Sequence, residues 1–421
     1  MPRTATAPAP PATATAPTTG AAPTTTPLWW IWLAAWPVTA VFVLSNAATP
    51  LYVLWQHDIG FSKGTLTVVF AFYIVGLIGS LLVSGVLSDR IGRKPVLLPA
   101  LVLALAACLV FGTATSVAAL IVARLFTGIA VGAAVSAGMA AVTDVAGPAR
   151  RRTAALLASC AMVFGAGLGP LLAGVLSELA PAPTTTVFAV EAVLLATAVL
   201  TVLRMPLPRS ERRPQPKPTG PWIRVPGVPA GTGRQLALGI AVFAPGITAT
   251  SFVLSLGPSL LSGLLGTSSR IVAGAMAFVM FLAATGVQFA VQRLRRRTIL
   301  TAGAATTALG MLTLVAAVRT EAVALLVLAA LLAGAGQGMG QLGGLSLLNS
   351  AVPPQRLAEA NAALNVGGYL PAGLLPVSAG YLSDAVGLTT GATVFGLVLL
   401  AFAVLGGLLV RATRRRVTDP A

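Results

Sequence analysis

The chain has 421 residues, of which 56% are hydrophobic and only 9% charged, with 27 Lys and Arg against 10 Asp and Glu. Soluble globular proteins carry about 25% charged residues, so this composition excludes a soluble domain and indicates a polytopic membrane protein. The formal charge of +17 would suit a nucleic-acid binder, but the basic residues are confined to short gaps between long apolar runs.

Residues 1–27 are almost wholly Ala, Thr and Pro, with Arg3 the only charge. They lack the charged start and apolar middle of a signal peptide and are expected to form a disordered cytoplasmic tail. A bilayer's hydrocarbon layer takes about 20 apolar residues of helix, and the sequence predicts twelve such spans. The first six are 28–54, 66–88, 96–115, 117–143, 153–177 and 186–203. Residues 204–234 hold eight prolines and a run of basic residues, the composition of a surface linker with no core of its own. The second six spans are 235–262, 270–292, 299–318, 321–350, 358–382 and 388–410, followed by a basic tail, 411–421. The expected fold is an all-α membrane protein of two six-helix bundles, 28–203 and 235–410.

All but four of the 27 basic residues lie on one side of these spans; the exceptions are Lys63, Arg270, Arg319 and, within a span, Arg124. Such a bias marks the cytoplasmic side. It places both termini inside, in a cell (inner) membrane, and makes the positive charge a topology signal with an attraction for anionic membrane lipid rather than for nucleic acid. Cys108 and Cys160 fall in apolar runs and read as small buried hydrophobes. Two thiols and one histidine, His57, build no usual zinc site, so neither metal nor cofactor is expected.

The halves match at a constant shift of 206 positions: Gly128 with Gly334, Gly132 with Gly338, Gly138 with Gly344, Pro148 with Pro354 and Arg150 with Arg356. The register continues through Gly167 and Gly373, Pro170 and Pro376, Gly174 and Gly380, Ser177 and Ser383, to Glu178 and Asp384. A parallel repeat of six helices implies two bundles related by an axis along the membrane normal, with a substrate site between them.

After the second span comes Gly85-Val-Leu-Ser-Asp89-Arg90-Ile-Gly92-Arg93-Lys94-Pro95. This resembles the signature loop of the major facilitator superfamily, and with the helix count and duplication the resemblance covers residues 28–410. It implies a two-bundle rocker-switch transporter for a small-molecule substrate. By the same resemblance Asp89 contacts the start of the eleventh helix, near 358–361, and Arg93 bridges to Asp144, forming a latch for the outward-facing state; the alternative is that Arg90, Arg93 and Lys94 only enforce topology. The second copy, Gln292-Arg293-Leu-Arg295-Arg296-Arg297, keeps the charge but lacks the acid and the glycines.

The fifth span carries Gly165-Ala-Gly167-Leu-Gly169-Pro170-Leu-Leu-Ala-Gly174, similar to the motif of drug–proton antiporters of that superfamily; close helix packing alone is the other reading. Arg124-Leu-Phe-Thr-Gly128-Ile-Ala-Val-Gly132 resembles the family's intramembrane arginine motif. An ionisable residue inside a membrane costs about 2.5–3.5 kcal/mol on insertion scales, which makes Arg124 and Glu191 candidates for a pair or proton relay unless each merely snorkels. In the implied fold the first, fourth, seventh and tenth helices surround the cavity. Asn46, Tyr52, Ser251, Gln337 and Gln341 are its candidate lining, with Asn361, Asn365 and Tyr369 added as a stripe at i, i+4, i+8.

The expected function is secondary transport by a monomer, with proton-coupled export of a hydrophobic or amphipathic compound. An uptake symporter or facilitator for a sugar or other metabolite and a receptor on a transporter fold are the rivals. No span carries paired acids, a Cys/His couple or metal-ligand spacing, so an enzyme is not expected.

Overall fold

A computed structural model describes residues 27–207, 226–263, 266, 269–353 and 356–413. Most of the predicted N-terminal tail, linker and C-terminal tail, together with Pro354 of the repeat, lies outside them. The described residues form twelve long helices. In chain order these are α1 (Leu28–Ile59), α2 (Lys63–Ile91), α3 (Lys94–Gly112), α4 (Val117–Ala146), α5 (Arg151–Leu179) and α6 (Pro183–Arg204). The second set is α7 (Gly233–Gly263), α8 (Arg270–Val291), α9 (Arg296–Thr320), α10 (Val323–Ala351), α11 (Leu357–Val386) and α12 (Leu388–Ala412). Eleven are long and apolar enough to cross a membrane; α11 is long enough, but two prolines, four glycines and its polar residues leave no stretch of it as apolar as the others.

The predicted spans fall on these helices, with differences at the ends. α1 runs to Ile59 rather than 54, since Gln56, His57 and Asp58 continue the helix beyond its apolar part until Gly60 caps it at φ +76°. α3 stops at Gly112 rather than 115, because Ser116 already caps the next helix by accepting the Ala119 N–H. Two helices are interrupted. α1 passes through a 3₁₀ turn at Thr49–Leu51, where Pro50 has no N–H to give. α4 widens into a π turn at Ala134–Gly138, a local change of pitch that often marks functional helices.

The packing is duplicated. α1 lies against α5 and α6 as α7 lies against α11 and α12; α2 lies against α4 as α8 lies against α10. α3 packs on α4 and α6 as α9 packs on α10 and α12. Glycines set the spacing, since lipid gives apolar helices no reason to associate and close backbone approach must supply it. A methyl at Gly128 would strike the Tyr73 carbonyl, and one at Gly334 would strike that of Met280. The seam between bundles is formed by α5 with α8 and, symmetrically, by α2 with α11.

Cys108 is buried as expected, but Cys160 is exposed on α5. An apolar run does not record which face of its helix a residue takes, and Cys160 takes an open one.

Candidate functional site

The signature loop forms a compact charge cluster between α2 and α3, at what is here called the basic end of the helices. Gly92 turns the chain at φ +101°, bringing Arg93 back over the last turn of α2. Arg93 Nη1 donates to Asp89 Oδ1 at 2.6 Å and to Ser88 Oγ at 2.8 Å, while its Nε donates to Asp144 Oδ2 of α4 at 2.8 Å. Burial works against charge on Arg93, but the hydrogen bonds to Asp144 and Asp89 more than offset it and hold the guanidinium above the usual arginine value. Lys94 Nζ donates to the Leu203 carbonyl at the end of α6. The expected Arg93–Asp144 bridge is therefore present, and Asp89 pairs with Arg93 inside its own bundle. Arg90 flanks the cluster.

Arg124, on α4, is wholly buried. Its Nη1 donates to the Ser45 carbonyl at 2.7 Å, at the break in α1, while Nε and Nη2 have no partner. The charge is instead surrounded by ring faces. Its Cζ lies 5.1 Å from the ring centre of Tyr52, 5.6 Å from Phe70, 5.8 Å from Phe111 and 5.9 Å from Tyr73. Such cation–π contacts are worth about 2 kcal/mol when desolvated. Tyr52 thus belongs to the arginine cage and, being fully buried, does not line an open cavity.

Glu191 of α6 is 1% exposed and neither carboxylate oxygen has a hydrogen-bond partner. It does not touch Arg124. Phe111, beside the guanidinium, stacks on Phe188 at 4.8 Å and on Trp55 at 5.7 Å; Glu191 and Cys108 sit one helical turn further along α6 and α3. Sequence reasoning missed this cage, although Phe70 and Tyr73 repeat at helical spacing on α2.

The fifth-helix motif has two working faces. Gly165 meets the Thr39 carbonyl and Gly169 the Val43 carbonyl, both on α1; Gly174 meets the Arg270 carbonyl on α8, and Pro170's carbonyl faces Gly274 there. The motif therefore lies in the seam between bundles as well as in its own.

The polar candidates divide. Asn46 and Ser251 are buried, and Asn46 Nδ2 donates to Ser45 Oγ at 3.0 Å. Gln337, Gln341, Asn361, Asn365 and Tyr369 are each partly open, and Gln337 Oε1 and Asn361 Oδ1 lack hydrogen-bond partners. Tyr369 is edge-on to Phe243 of α7, their centres 6.4 Å apart. The open polar surface thus belongs to α10 and α11.

At the end opposite the basic loops, hydrogen bonds join the bundles. Asp384 accepts the N–H groups of Lys63 and Gly64, at 3.0 and 2.8 Å. Glu178 accepts those of Arg270 and Ile271, and Arg270 Nη2 donates to the Ser177 carbonyl at 2.6 Å. Ser259 of α7 donates to Gln56 of α1 at 3.1 Å.

The sequence matches the family model described as Major Facilitator Superfamily over residues 31–294 and again over 236–421. No curated protein matches it. Among solved structures, a bacterial homologue of the human lysosomal transporter Spinster, inward-facing and occupied, superposes with a TM-score of 0.72 at 13% identity, over 96% of this chain and 100% of that one. The nucleoside transporter NupG gives 0.67 at 12% identity (91% and 99% covered), and a D-xylose–proton symporter 0.65 at 18% (90% and 96% covered). With its duplicated helices, its signature loop and a family match along almost its whole length, the chain belongs to the major facilitator superfamily: it is a membrane transporter and not an enzyme.

Proposed function

We propose that this transporter is a monomeric, proton-coupled exporter of a hydrophobic or amphipathic small molecule, working by alternating access in the inner cell membrane with its basic end in the cytoplasm. The observation that carries export is the fifth-helix motif. Gly165 and Gly169 seat α5 on α1, while Gly174 seats it on α8, so the element that resembles the antiporter motif lies where the bundles must move against each other. In this reading the structure is the inward-facing state, closed by Glu178 and Asp384 at the outer end, as the occupied Spinster homologue is inward-facing. In the outward-facing state Asp89 docks on the start of α11, where the helix dipole favours a carboxylate. Arg124 and Glu191 are the coupling charges, buried and short of partners.

Proteoliposomes with an imposed pH gradient test this. Efflux-direction flux of a lipophilic fluorescent dye, dependent on the gradient and made independent of it by Glu191→Gln, is the expected result. Flux that keeps its pH dependence in that variant removes Glu191 from the relay. A second reading has support of its own: Gln337 Oε1 on α10 and Asn361 Oδ1 on α11, the helix that also carries Asn365 and Tyr369, have unfilled hydrogen-bonding capacity, which suits a hydroxyl-rich substrate. Accumulation of a sugar or similar metabolite down the proton gradient, without dye transport, would establish an uptake symporter instead.

A further inference from the structure

The second copy of the signature loop differs from the first in the sign of its environment. In the first bundle Arg93 Nε meets the Asp144 carboxylate and Lys94 Nζ meets the Leu203 carbonyl at the end of α6. In the second, Arg296 Nε donates to the Ser346 hydroxyl, at 3.0 Å, and Arg297 Nη2 donates to the Arg411 carbonyl at the end of α12, at 3.3 Å. The pose is repeated, with Ser346 standing where the first bundle has Asp144. Among the described residues no carboxylate forms an ion pair with Arg295, Arg297 or Arg411.

These arginines surround a recess. Arg295, Arg297, Thr298, Thr301 and Arg411 line about 270 Å³ at the basic end. Arg295 caps α9 and Arg297 stands in its first turn, which holds no acidic residue. The positive end of the helix dipole adds to the guanidinium charges there, the reverse of the usual arrangement. Among the described residues no acidic side chain pairs with these three arginines.

The recess also has an apolar extension. Thr301 and Arg411 line a second space of about 150 Å³ that continues along the α9–α12 seam between Ala304, Ala308, Ala403 and Gly407. Small residues let the helices approach, Ala304 lying against Gly407, and leave a furrow walled by the exposed side chains of Val404 and Leu408. A cationic mouth thus opens into a hydrocarbon-lined groove on the bilayer side of the bundle.

We propose that this groove binds an anionic phospholipid, with its phosphate held by Arg295, Arg297 and Arg411 and an acyl chain laid along the α9–α12 seam. A free phosphate would use the mouth but gain nothing from the furrow; a zwitterionic lipid would use the furrow but leave the arginines uncompensated. Basic pockets between membrane helices hold lipid headgroups by this chemistry.

Purified full-length protein in detergent, titrated separately with phosphatidylglycerol, phosphatidylcholine and inorganic phosphate, tests the proposal by native mass spectrometry and thermal unfolding. Phosphatidylglycerol should bind and raise the unfolding temperature, and the other two should not. At about fivefold per arginine near the membrane surface, Arg295→Gln with Arg411→Gln should weaken that binding about thirtyfold, whereas Arg319→Gln at the opposite end should not change it. Ala308→Phe, which fills the furrow and leaves every arginine in place, should weaken it as well. Equal binding of phosphatidylcholine, an equal response to inorganic phosphate, or undiminished phosphatidylglycerol affinity in either the double variant or Ala308→Phe would overturn the assignment.

Discussion

Asp384, in the last turn of α11, receives the N–H groups that open α2, and Glu178 does the same at the start of α8. Each bundle thus caps a helix of the other, and the two caps are related by the internal repeat. Charge-assisted hydrogen bonds at a helix N-terminus are the favourable arrangement. Because both carboxylates are exposed, solvent screening limits each to about 1 kcal/mol. Yet both act on one equilibrium.

Removing the caps should therefore bias the molecule toward opening at that end. In Glu178→Gln with Asp384→Asn, the population closed there should fall by about tenfold or more relative to the open one, with each single variant giving about a fivefold change. Spin–spin distances between labels on α5 and α8 at the end opposite the basic loops would report it. An unchanged distance distribution in the double variant would show that the apolar seam alone sets the closed state.

Arg124 gives a prediction of opposite character. A buried guanidinium with two unpartnered donors is costly, and an apolar side chain of similar volume often serves stability as well or better. Arg124→Leu should keep or raise the unfolding temperature while lowering gradient-driven transport by about tenfold or more. Arg124→Lys should retain the charge but lose transport too, since an ammonium cannot reach the Ser45 carbonyl and the four rings in the same geometry. If Arg124→Leu instead unfolded at much lower temperature and its folded fraction transported normally, the residue would be structural.

The twelve helices were legible because bilayer-spanning runs and basic gaps are written directly into composition. The Arg93–Asp144 bridge followed from a dense motif. What the sequence did not reveal was rotation about each helix axis. α4 and α6 are apolar nearly all round, so nothing in their pattern fixed which way Arg124 and Glu191 point, and of the two expected arrangements, direct pair or shared relay, neither Glu191 oxygen makes the direct bond. The repeat aligns Glu178 with Asp384 at two helix ends, but the bond each makes across the bundles is not legible in sequence, because the partners are backbone N–H groups, which leave no residue signature. Tyr52 was misplaced for a related reason: the turn at Thr49–Leu51 swings it under Arg124.

The charge cluster at the basic end should behave as one unit. Arg93→Ala leaves Asp89 and Asp144 without their guanidinium, and transport should fall by about tenfold from lost positioning of the loop. Asp144→Ala alone should cost less, since Arg93 retains Asp89. A double-mutant cycle on transport rate would give a coupling of about 1 kcal/mol between Arg93 and Asp144. Strict additivity would mean that the bridge is an incidental surface pair.

The fifth-helix motif separates two consequences of adding a single methyl. Gly169 lies against the Val43 carbonyl within the first bundle, and Gly174 lies against the Arg270 carbonyl across the seam. Neither neighbour is a flexible side-chain tip, so an alanine at either position must push backbone apart, at about 1–3 kcal/mol. At Gly169 the strain falls on α1 and α5, which stay together through the transport cycle. Gly169→Ala should therefore lower the unfolding temperature without shifting the conformational balance. At Gly174 the strain is present only while the seam is closed. Gly174→Ala should leave the unfolding temperature nearly unchanged and raise the reactivity of a cysteine introduced at Ser269, at the mouth of the seam, about fivefold toward a membrane-impermeant thiol reagent. If both variants lost stability alike and neither changed that reactivity, α5 would be part of a fixed scaffold, and the motion would have to be sought at the α2–α11 contact.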